Sequence, residues 1–487
     1  MRLTDIADLT RRALARSHAL LADAATPTVR LGVTGLARSG KTVFITALVR
    51  NLTAGGRLPF LAAHAEGRIH EAYLEPQPDD ALPRFDYEGH LAALTRSEPA
   101  WPASTRQISQ LRLTILYRPS STLMRALGPR RMHLDIVDYP GEWLLDLALL
   151  RQSYADWSRE AIALARHPAR SAAASAWLAF IATLDASAPQ DERQALAGSH
   201  LYTEYLRQAR RAEPALSTVG PGRFLMPGDL EGSPLLTFFP LPLASAPRRG
   251  TLAAMMERRF ESYKARVVAP FFRNHFSRLD RQIVLVDALA ALNIGAHALA
   301  ELMRGLDHAL AAFRPGPRHW LAGVVWPRID RLLFAATKAD HLPQSSHDRL
   351  EAILRLLIEK SATRALTAGA EIKVMAIAAL RATRETAAQQ GADRLACIRG
   401  IPEAGERIGD TVFDGRTEVV IFPGDLPEDP HAALAGAGEP RSGEENVRFV
   451  RFRPPRLTPP ASAIEPAPWP HVRLDRALEF LIGDLLR

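Results

Sequence analysis

The sequence predicts an α/β fold built on a mainly parallel sheet, interrupted by an α-helical insertion and followed by a C-terminal α/β extension. Three observations predict it. Strands alternate with helices, a glycine-rich loop joins the first strand to its helix, and a long Ala- and Leu-rich stretch without strands divides the alternating pattern. At 487 residues the chain is too long for one compact core, so several structural units are expected.

The first elements lead into and away from the glycine-rich loop. Residues 4–23 have a helical pattern, residues 29–34 form a short strand, and residues 43–52 form the next helix. Residues 54–100 are rich in Pro, Gly and His and show no sustained period. We expect an irregular connection there.

Two further strands are predicted over residues 107–117 and 132–137. In the second strand, apolar residues alternate with His133 and Asp135, so we expect one of its faces to be less deeply buried. A helical region follows over residues 142–213.

A Pro- and Gly-rich loop over residues 214–249 continues the region without strands. Residues 250–266 form another predicted helix, which Pro270 should close because proline cannot continue a helix interior. We interpret the whole of residues 142–280 as an insertion.

The alternating pattern then resumes. Strands are predicted at residues 282–287, 332–336 and 372–377, with helices around residues 295–312 and 346–363. Strand after helix in this order favours parallel pairing.

The C-terminal part has strand-like patterns at residues 418–422 and 447–452, and a helical pattern at residues 474–486. The sequence therefore predicts five segments: an N-terminal helix (1–28), a first part of the nucleotide-binding domain (29–141), the helical insertion (142–280), a second part of that domain (281–400) and the C-terminal extension (401–487).

The glycine-rich loop matches the phosphate-binding pattern G-x-x-x-x-G-K-[ST]. Its glycines let backbone N–H groups converge on phosphate oxygens at the start of a helix. Lys41 supplies a charge to the β- and γ-phosphates, and Thr42 supplies a hydroxyl to Mg²⁺. Between a strand and a helix, the pattern predicts a P-loop NTPase of the Ras-like type, with Mg²⁺ as cofactor. The predicted loop contacts are Gly35, Ala37, Arg38, Ser39, Gly40, Lys41, Thr42 and Val43.

A second motif, Asp138-Tyr-Pro-Gly141, ends the strand at 132–137. A carboxylate there can hold Mg²⁺ through water, and the Gly141 N–H can meet a γ-phosphate. Ser104 and Thr105 are the candidates for switch I. The expected metal ligands are Thr42, Asp138 and Thr105, and the expected catalytic residues are Lys41, Thr42, Asp138, Gly141 and Arg38.

A third motif, Thr337-Lys-Ala-Asp340, follows the strand at 332–336. Guanine presents N1–H and an N2 amino group, and one carboxylate can accept from both, whereas adenine offers an acceptor at N1. Asp340 therefore favours guanine, since a site built to accept from a donor rejects the base that lacks it. Lys338 would cover the base with its aliphatic stem, and Ala379 lies where a backbone N–H can reach the guanine O6. The predicted ligand is GTP or GDP.

The composition limits which binding partners and which cellular location are expected. The net charge is +8, but the basic residues form no stripe with aromatics, so no specific nucleic-acid partner is expected. The lone Cys397 lies in an apolar run and is expected to be a buried thiol in a reducing compartment. We expect a cytoplasmic protein without a transmembrane segment, with peripheral contact at the inner membrane left open. Clustered ligands for a zinc hydrolase are missing from the sequence.

Several runs together resemble one known family. Besides the phosphate loop and Thr337–Asp340, these are Asp138–Trp143, Asp280–Asp287 and Arg473–Asp484, and the chain is similar to the YcjX family of bacterial P-loop proteins over nearly its whole length. The resemblance implies a GTPase-like domain interrupted by a helical insertion, guanine-nucleotide binding and a link to stress responses. It also implies frequent pairing with an inner-membrane partner protein.

One residue departs from the Ras-like pattern. Ras-like enzymes have a glutamine after the glycine of the second motif to orient water, and here Glu142 occupies that position. We therefore predict a guanine-nucleotide switch with slow GTP hydrolysis, in which the nucleotide state moves the insertion and Arg38 is a candidate cation in cis. The alternatives are a P-loop ATPase or kinase-like enzyme, and a helical scaffold that holds nucleotide without hydrolysing it.

Overall fold

A seven-stranded, mainly parallel sheet lies at the centre of this computed structural model. The structure describes residues 26–36, 38–103, 107–126, 128–212, 220–310, 329–367, 369–391, 393–435, 449–457 and 468–487. The sheet consists of β1 (Thr28–Gly35), β2 (Ile69–Glu75), β3 (Ser109–Tyr117), β4 (Arg130–Asp138), β5 (Arg281–Val286), β6 (Arg331–Ala336) and β7 (Glu371–Ala376). Its order is β2-β3-β4-β1-β5-β6-β7, with parallel pairing from β4 to β7 and antiparallel pairing at β2 and β3. The predicted mainly parallel α/β sheet is confirmed.

Helices fill both faces of the sheet and the stretch between β4 and β5. Before β5 they are α1 (Lys41–Thr53), α2 (Ala62–Ala65), α3 (Tyr87–Thr95), α4 (Thr122–Arg125), α5 (Glu142–Leu145), α6 (Tyr154–Ala165), α7 (Pro168–Ala182), α8 (Glu192–Ala212), α9 (Gly222–Leu225), α10 (Leu252–Tyr263) and α11 (Ala269–Asn274). After β5 they are α12 (Ala288–Ile294), α13 (Ala296–Leu310), α14 (His347–Thr367), α15 (Ala432–Ala435) and α16 (Leu474–Ile482). The helical pattern predicted over residues 4–23 lies outside the described residues.

The two faces of the sheet bury different cores, because successive strand residues point to opposite sides. On β5, Ile283 and Leu285 join the core that contains α1 and α16. Val284 and Val286 join the opposite core, which continues into the helices between β4 and β5. The central strands are buried on both sides, as is typical of parallel sheets.

Aromatic side chains form much of the core of the helical stretch. Trp157 of α6 stacks on Phe260 of α10 with ring centroids 5.0 Å apart. Trp177 of α7 stacks on Tyr205 of α8 at 5.6 Å. Such offset and stacked pairs add to the burial of large apolar area and hold these helices together.

The connection expected over residues 54–100 is wrong in part. It contains α2, α3 and the edge strand β2, which pairs antiparallel with β3. Only Ala72 of β2 is fully buried. A strand at the edge of a sheet has one paired side and needs few apolar residues, so its sequence carries little alternation.

The expectation that one face of β4 is less deeply buried is also wrong. His133 and Asp135 are 1% and 0% exposed. The register places Arg112 of β3 opposite Asp135, and its guanidinium binds both carboxylate oxygens at 2.7 and 2.9 Å. His133 Nδ1 lies 2.9 Å from Thr114 Oγ1. Paired polar groups can be buried where unpaired ones cannot.

Pro270 does not close the helix that begins near residue 250. After α10 the chain makes a π-helical turn over Lys264–Val268 and continues into α11, with Pro270 in the first turn of α11. Proline is tolerated in the first turn of an α-helix because its fixed φ suits the helical backbone.

The C-terminal part contains a small antiparallel sheet that was not expected before residue 401. Its strands are β8 (Arg384–Gln390), β9 (Asp393–Gly400) and β12 (Val419–Ile421), and Cys397 is buried in β9. A separate two-stranded ribbon joins β10 (Arg407–Ile408) and β11 (Thr411–Val412).

The strand expected over residues 447–452 is not formed in its described part, where Phe452 makes an isolated bridge to Pro402. Proline lacks the N–H that a longer ladder needs. Among the described residues, none of the helices has the length and apolarity that crossing a bilayer requires.

Candidate nucleotide-binding site

The phosphate loop connects β1 to α1 in the way its glycines allow. Gly40 has φ of +89° and precedes Lys41, the first residue of α1. A Cβ atom on Gly35 would lie 2.5 Å from the backbone oxygen of Leu285, so only glycine fits there. The first N–H groups of α1 therefore face the loop, where an anion can accept from them.

Lys41 crosses this loop. Its side chain is buried and its Nζ donates to the Gly35 carbonyl at 2.8 Å. The ammonium group is therefore held above the loop by one neutral oxygen. A phosphate oxygen offers a stronger, charge-assisted partner at the same place.

Two oxygen-bearing side chains lie where Mg²⁺ would be needed. Thr42 is in the first turn of α1, and Asp138 ends β4 opposite Val33 of β1, two residues before the loop begins. Hydroxyl and carboxylate oxygens are the ligands that Mg²⁺ prefers, and it commonly takes one or two protein ligands together with phosphates. Within the described residues no three His, Cys, Asp or Glu side chains form a metal cluster. The oxygens of Thr42 and Asp138 are of the kind that suits Mg²⁺, which would supply positive charge to bound phosphates.

Gly141 packs directly on the phosphate loop. A Cβ atom at this residue would lie 2.2 Å from the Gly35 backbone oxygen and 3.0 Å from the Leu36 nitrogen. The backbone at Gly141 is therefore in close contact with the loop, which leaves no room for a side chain between them. The second motif packs directly against the first.

The third motif begins where β6 ends. Lys338 has φ of +59° and forms an ion pair with Asp287 at the end of β5. Asp340 is 5% exposed, and its Oδ2 accepts from the backbone N–H groups of Ala382 and Thr383 at 2.7 and 3.1 Å. These amides fix the orientation of the carboxylate.

One cavity of about 320 Å³ joins the phosphate loop to the third motif. Sequence-predicted residues on its wall are Arg38, Ser39, Gly40, Lys41, Thr42, Val43, Thr337, Lys338, Asp340 and Ala379. Gly35, Asp138 and Gly141 lie behind the loop, off the cavity wall. Ala37, Ser104 and Thr105 lie outside the described residues. The arrangement places the Lys41 ammonium group and the start of α1 at one end of the cavity and the Asp340 carboxylate at the other.

The sequence did not point to several other residues on the wall. They are Trp101, Arg210, Met226, His341, Glu403, Arg451 and Phe452, and Glu142, which the sequence marked as a departure from the Ras-like pattern, is also on the wall. Trp101 Nε1 donates to the Phe452 carbonyl at 2.7 Å, across 351 positions of sequence. Phe452 in turn makes an edge contact with His341, with ring centroids 5.0 Å apart, and burial lowers the pKa of His341. The rings of Trp101, His341 and Phe452 thus line this end of the cavity, beside the ion pair of Arg451 with Glu403.

The helices between β4 and β5 contact the residues just after Gly141. A Cβ atom on Gly222 would lie 2.1 Å from the Glu142 carbonyl oxygen, so α9 contacts this backbone directly. The Trp143 indole N–H donates to the Met226 carbonyl at 3.2 Å, and the Arg223 guanidinium stacks 3.3 Å from the Trp143 ring centroid. Movement at Gly141 would therefore reach α9.

Asp146 connects the same segment to α9 and α10 through hydrogen bonds. It accepts from the Gly222 N–H and from the Tyr263 hydroxyl, both at 2.6 Å. Burial nevertheless raises the pKa of Asp146 to about 6, because desolvation of the carboxylate outweighs these hydrogen bonds. Three separate parts of the chain meet at this carboxylate.

Comparison with known proteins decides the family. The model of the YcjX-like family, DUF463, matches residues 29–486. The chain belongs to the YcjX-like family. A YcjX-like relative in Escherichia coli (strain K12), named Ras-like GTPase YcjX, is 38% identical over 94% of this chain and 96% of its own length. A relative of the same name in Shewanella oneidensis is 34% identical over 97% of each chain.

Proposed function

We propose that this protein is a guanine-nucleotide switch that binds GTP and GDP with Mg²⁺ and hydrolyses GTP slowly. The observation that carries the proposal is the cavity shared by Lys41 and Asp340, with the Asp340 carboxylate oriented by two backbone amides. A triphosphate bound at Lys41 would place its base at that carboxylate, which accepts from guanine and not from adenine. The relatives named Ras-like GTPase support the same conclusion.

The Asp340→Asn variant tests base recognition. The asparagine oxygen can still accept from Ala382 and Thr383, while its amino group faces the base. We expect GTP affinity to fall by about 100-fold or more, because two hydrogen bonds to a charged group contribute roughly 1.5–3 kcal/mol each. XTP should now bind more tightly than GTP, since xanthine carries an acceptor oxygen where guanine carries an amino group.

Competition titrations with GTP, XTP and ATP measure this prediction. Asp348→Asn is the matched control, because Asp348 is 92% exposed. Equal affinity of the unaltered protein for ATP and GTP would favour the alternative of a P-loop ATPase. The other alternative, a scaffold that holds nucleotide, would be favoured by GTP that stays intact in a single-turnover assay.

The nucleotide state should also move the helical insertion. In this proposal residues 29–141 and 281–400 form the nucleotide-binding unit, residues 142–280 the insertion and residues 401–487 the extension. The packing of Gly141 on Gly35, and of α9 on Glu142, supports a lever that runs from the γ-phosphate to the insertion. The stress link and the inner-membrane partner that the family resemblance implies remain predictions.

Limited proteolysis tests whether the nucleotide state changes the conformation of the insertion. We expect trypsin to cleave within residues 142–280 at rates that differ at least about threefold between the GDP state and a non-hydrolysable GTP state, since local opening sets cleavage. Added ATP, which should not bind, is the control. Identical fragment patterns and rates in the nucleotide-free, GDP and GTP-analogue states would rule the lever out.

A further inference from the structure

The insertion sends one cationic side chain into the nucleotide cavity. Arg210 lies in the last turn of α8 and is on the cavity wall together with Lys41 and Thr42. Its Nη2 donates to Glu142 Oε1 at 3.0 Å. The side chain of Arg210 is 24% exposed, whereas that of Glu142 is 2% exposed. A flexible cation is therefore held at the cavity by a buried carboxylate.

The ion pair of Arg210 and Glu142 lies close to the phosphate loop. Glu142 directly follows Gly141, which packs on the phosphate loop, so the pair lies at the γ-phosphate end of the cavity. A buried carboxylate beside a triphosphate would repel it unless a cation lies between them. Arg210 is placed to be that cation, because its guanidinium can pass from the carboxylate to a nearby phosphate and still lie close to both.

The other two arginines on the cavity wall are less suited to this place. Arg38 is exposed and lies in the loop itself, with φ of +64°. Arg451 is bound by Glu406 at 2.8 Å and by Glu403 at 3.5 Å, near Phe452 at the base end. Of the three, Arg210 is the one that contacts the residue after Gly141.

We propose that Arg210 is a catalytic residue for GTP hydrolysis, supplied in cis by the insertion and kept by Glu142 in its resting position. This inference rests on the proposed GTPase function. When GTP binds, the guanidinium exchanges Glu142 for oxygens of the γ-phosphate. Water oxygen then attacks the γ-phosphorus, and the bond from phosphorus to the bridging oxygen breaks with its electron pair left on GDP. The released proton goes through inorganic phosphate to solvent.

Each partner of the pair has a task in that step. Arg210 donates to oxygens on which negative charge increases as the bond breaks, which is where arginine accelerates phosphoryl transfer. Glu142, once released, accepts from the attacking water in the position where Ras-like enzymes have glutamine. The same exchange frees the end of α8 from Glu142, so hydrolysis and the position of the insertion are coupled.

Single-turnover hydrolysis of GTP with Mg²⁺ tests the proposal. Arg210→Ala should slow the chemical step by about 100-fold or more, in the range of arginine contributions to phosphoryl transfer, while GDP affinity changes by less than about threefold. Arg210→Lys should not restore the rate, because a lysine cannot bind two oxygens in the same plane. Arg211→Ala is the matched control, since Arg211 is the exposed neighbour on α8.

A double variant separates catalysis from simple charge balance. Arg210→Ala alone leaves the Glu142 carboxylate without its ion pair, so the loss of rate could reflect repulsion. Glu142→Ala with Arg210→Ala removes both charges without introducing the glutamine of Ras-like enzymes, and it should remain slow. Recovery of the original rate by this double variant would overturn the proposal, as would an unchanged rate in Arg210→Ala. Absence of hydrolysis in the unaltered protein would instead contradict the proposed function.

Discussion

Replacing Lys41 by alanine should weaken binding of Mg²⁺–GTP by about 100-fold or more. The ammonium group now donates to the Gly35 carbonyl and is placed to donate to two phosphates instead. Two charge-assisted hydrogen bonds of roughly 1.5–3 kcal/mol each account for a loss of that size. The remaining affinity would come from backbone N–H groups and from contacts to the base.

Calorimetric titration of GTP and GDP measures the effect. Lys360→Ala is the matched control, because Lys360 is one of the five lysines and is exposed on α14. The melting temperature of both variants should be recorded without nucleotide, to show that Lys41→Ala still folds. An affinity for GTP within threefold of the unaltered protein would contradict the assignment of this loop as the phosphate site.

Leu478→Ala should lower the free energy of unfolding by about 2–5 kcal/mol, as removal of a buried leucine side chain typically does. Leu478 is 0% exposed on α16 and belongs to the same core as β1 and α1. The cavity left behind would lie under the central strands, which cannot move to fill it because they are paired on both sides.

Urea denaturation followed by tryptophan fluorescence measures this loss. Arg476→Ala on the same helix is the control. Arg476 is exposed and stacks 4.1 Å from the Phe60 ring centroid, so its removal should reduce stability by no more than about 1 kcal/mol. If both variants unfolded at the same urea concentration, α16 would not contribute to the core as described.

The local motifs could be predicted because each is a short run with a fixed chemical task. Gly40, Lys41 and Thr42 are consecutive residues where the loop meets α1, and Asp340 lies four residues after the end of β6. Their residue types and spacing follow from the shape of a nucleotide, so they are visible in one sequence. Alternation of apolar residues similarly located the buried central strands.

The rest depended on contacts between distant segments. Arg210 reaches Glu142 across 68 positions, and Trp101 reaches Phe452 across 351. No sequence motif marks either contact. A single arginine at the end of a helix usually faces solvent, so nothing in the sequence distinguished Arg210. The edge strand β2 was missed for a related reason. It is held by hydrogen bonds to β3, and its own sequence has no clear alternation of apolar residues.

The position of α16 in the fold has a consequence for the synthesis of the protein on the ribosome. Asp484, just beyond that helix, forms ion pairs with Arg281 of β5 at 2.9 Å and with Arg331 of β6 at 3.1 Å. The phosphate loop emerges from the ribosome long before α16, and the side of the sheet that α1 and α16 share is not fully covered until residues 474–484 have been made. A nascent chain that has not yet reached α16 therefore exposes apolar residues of these strands.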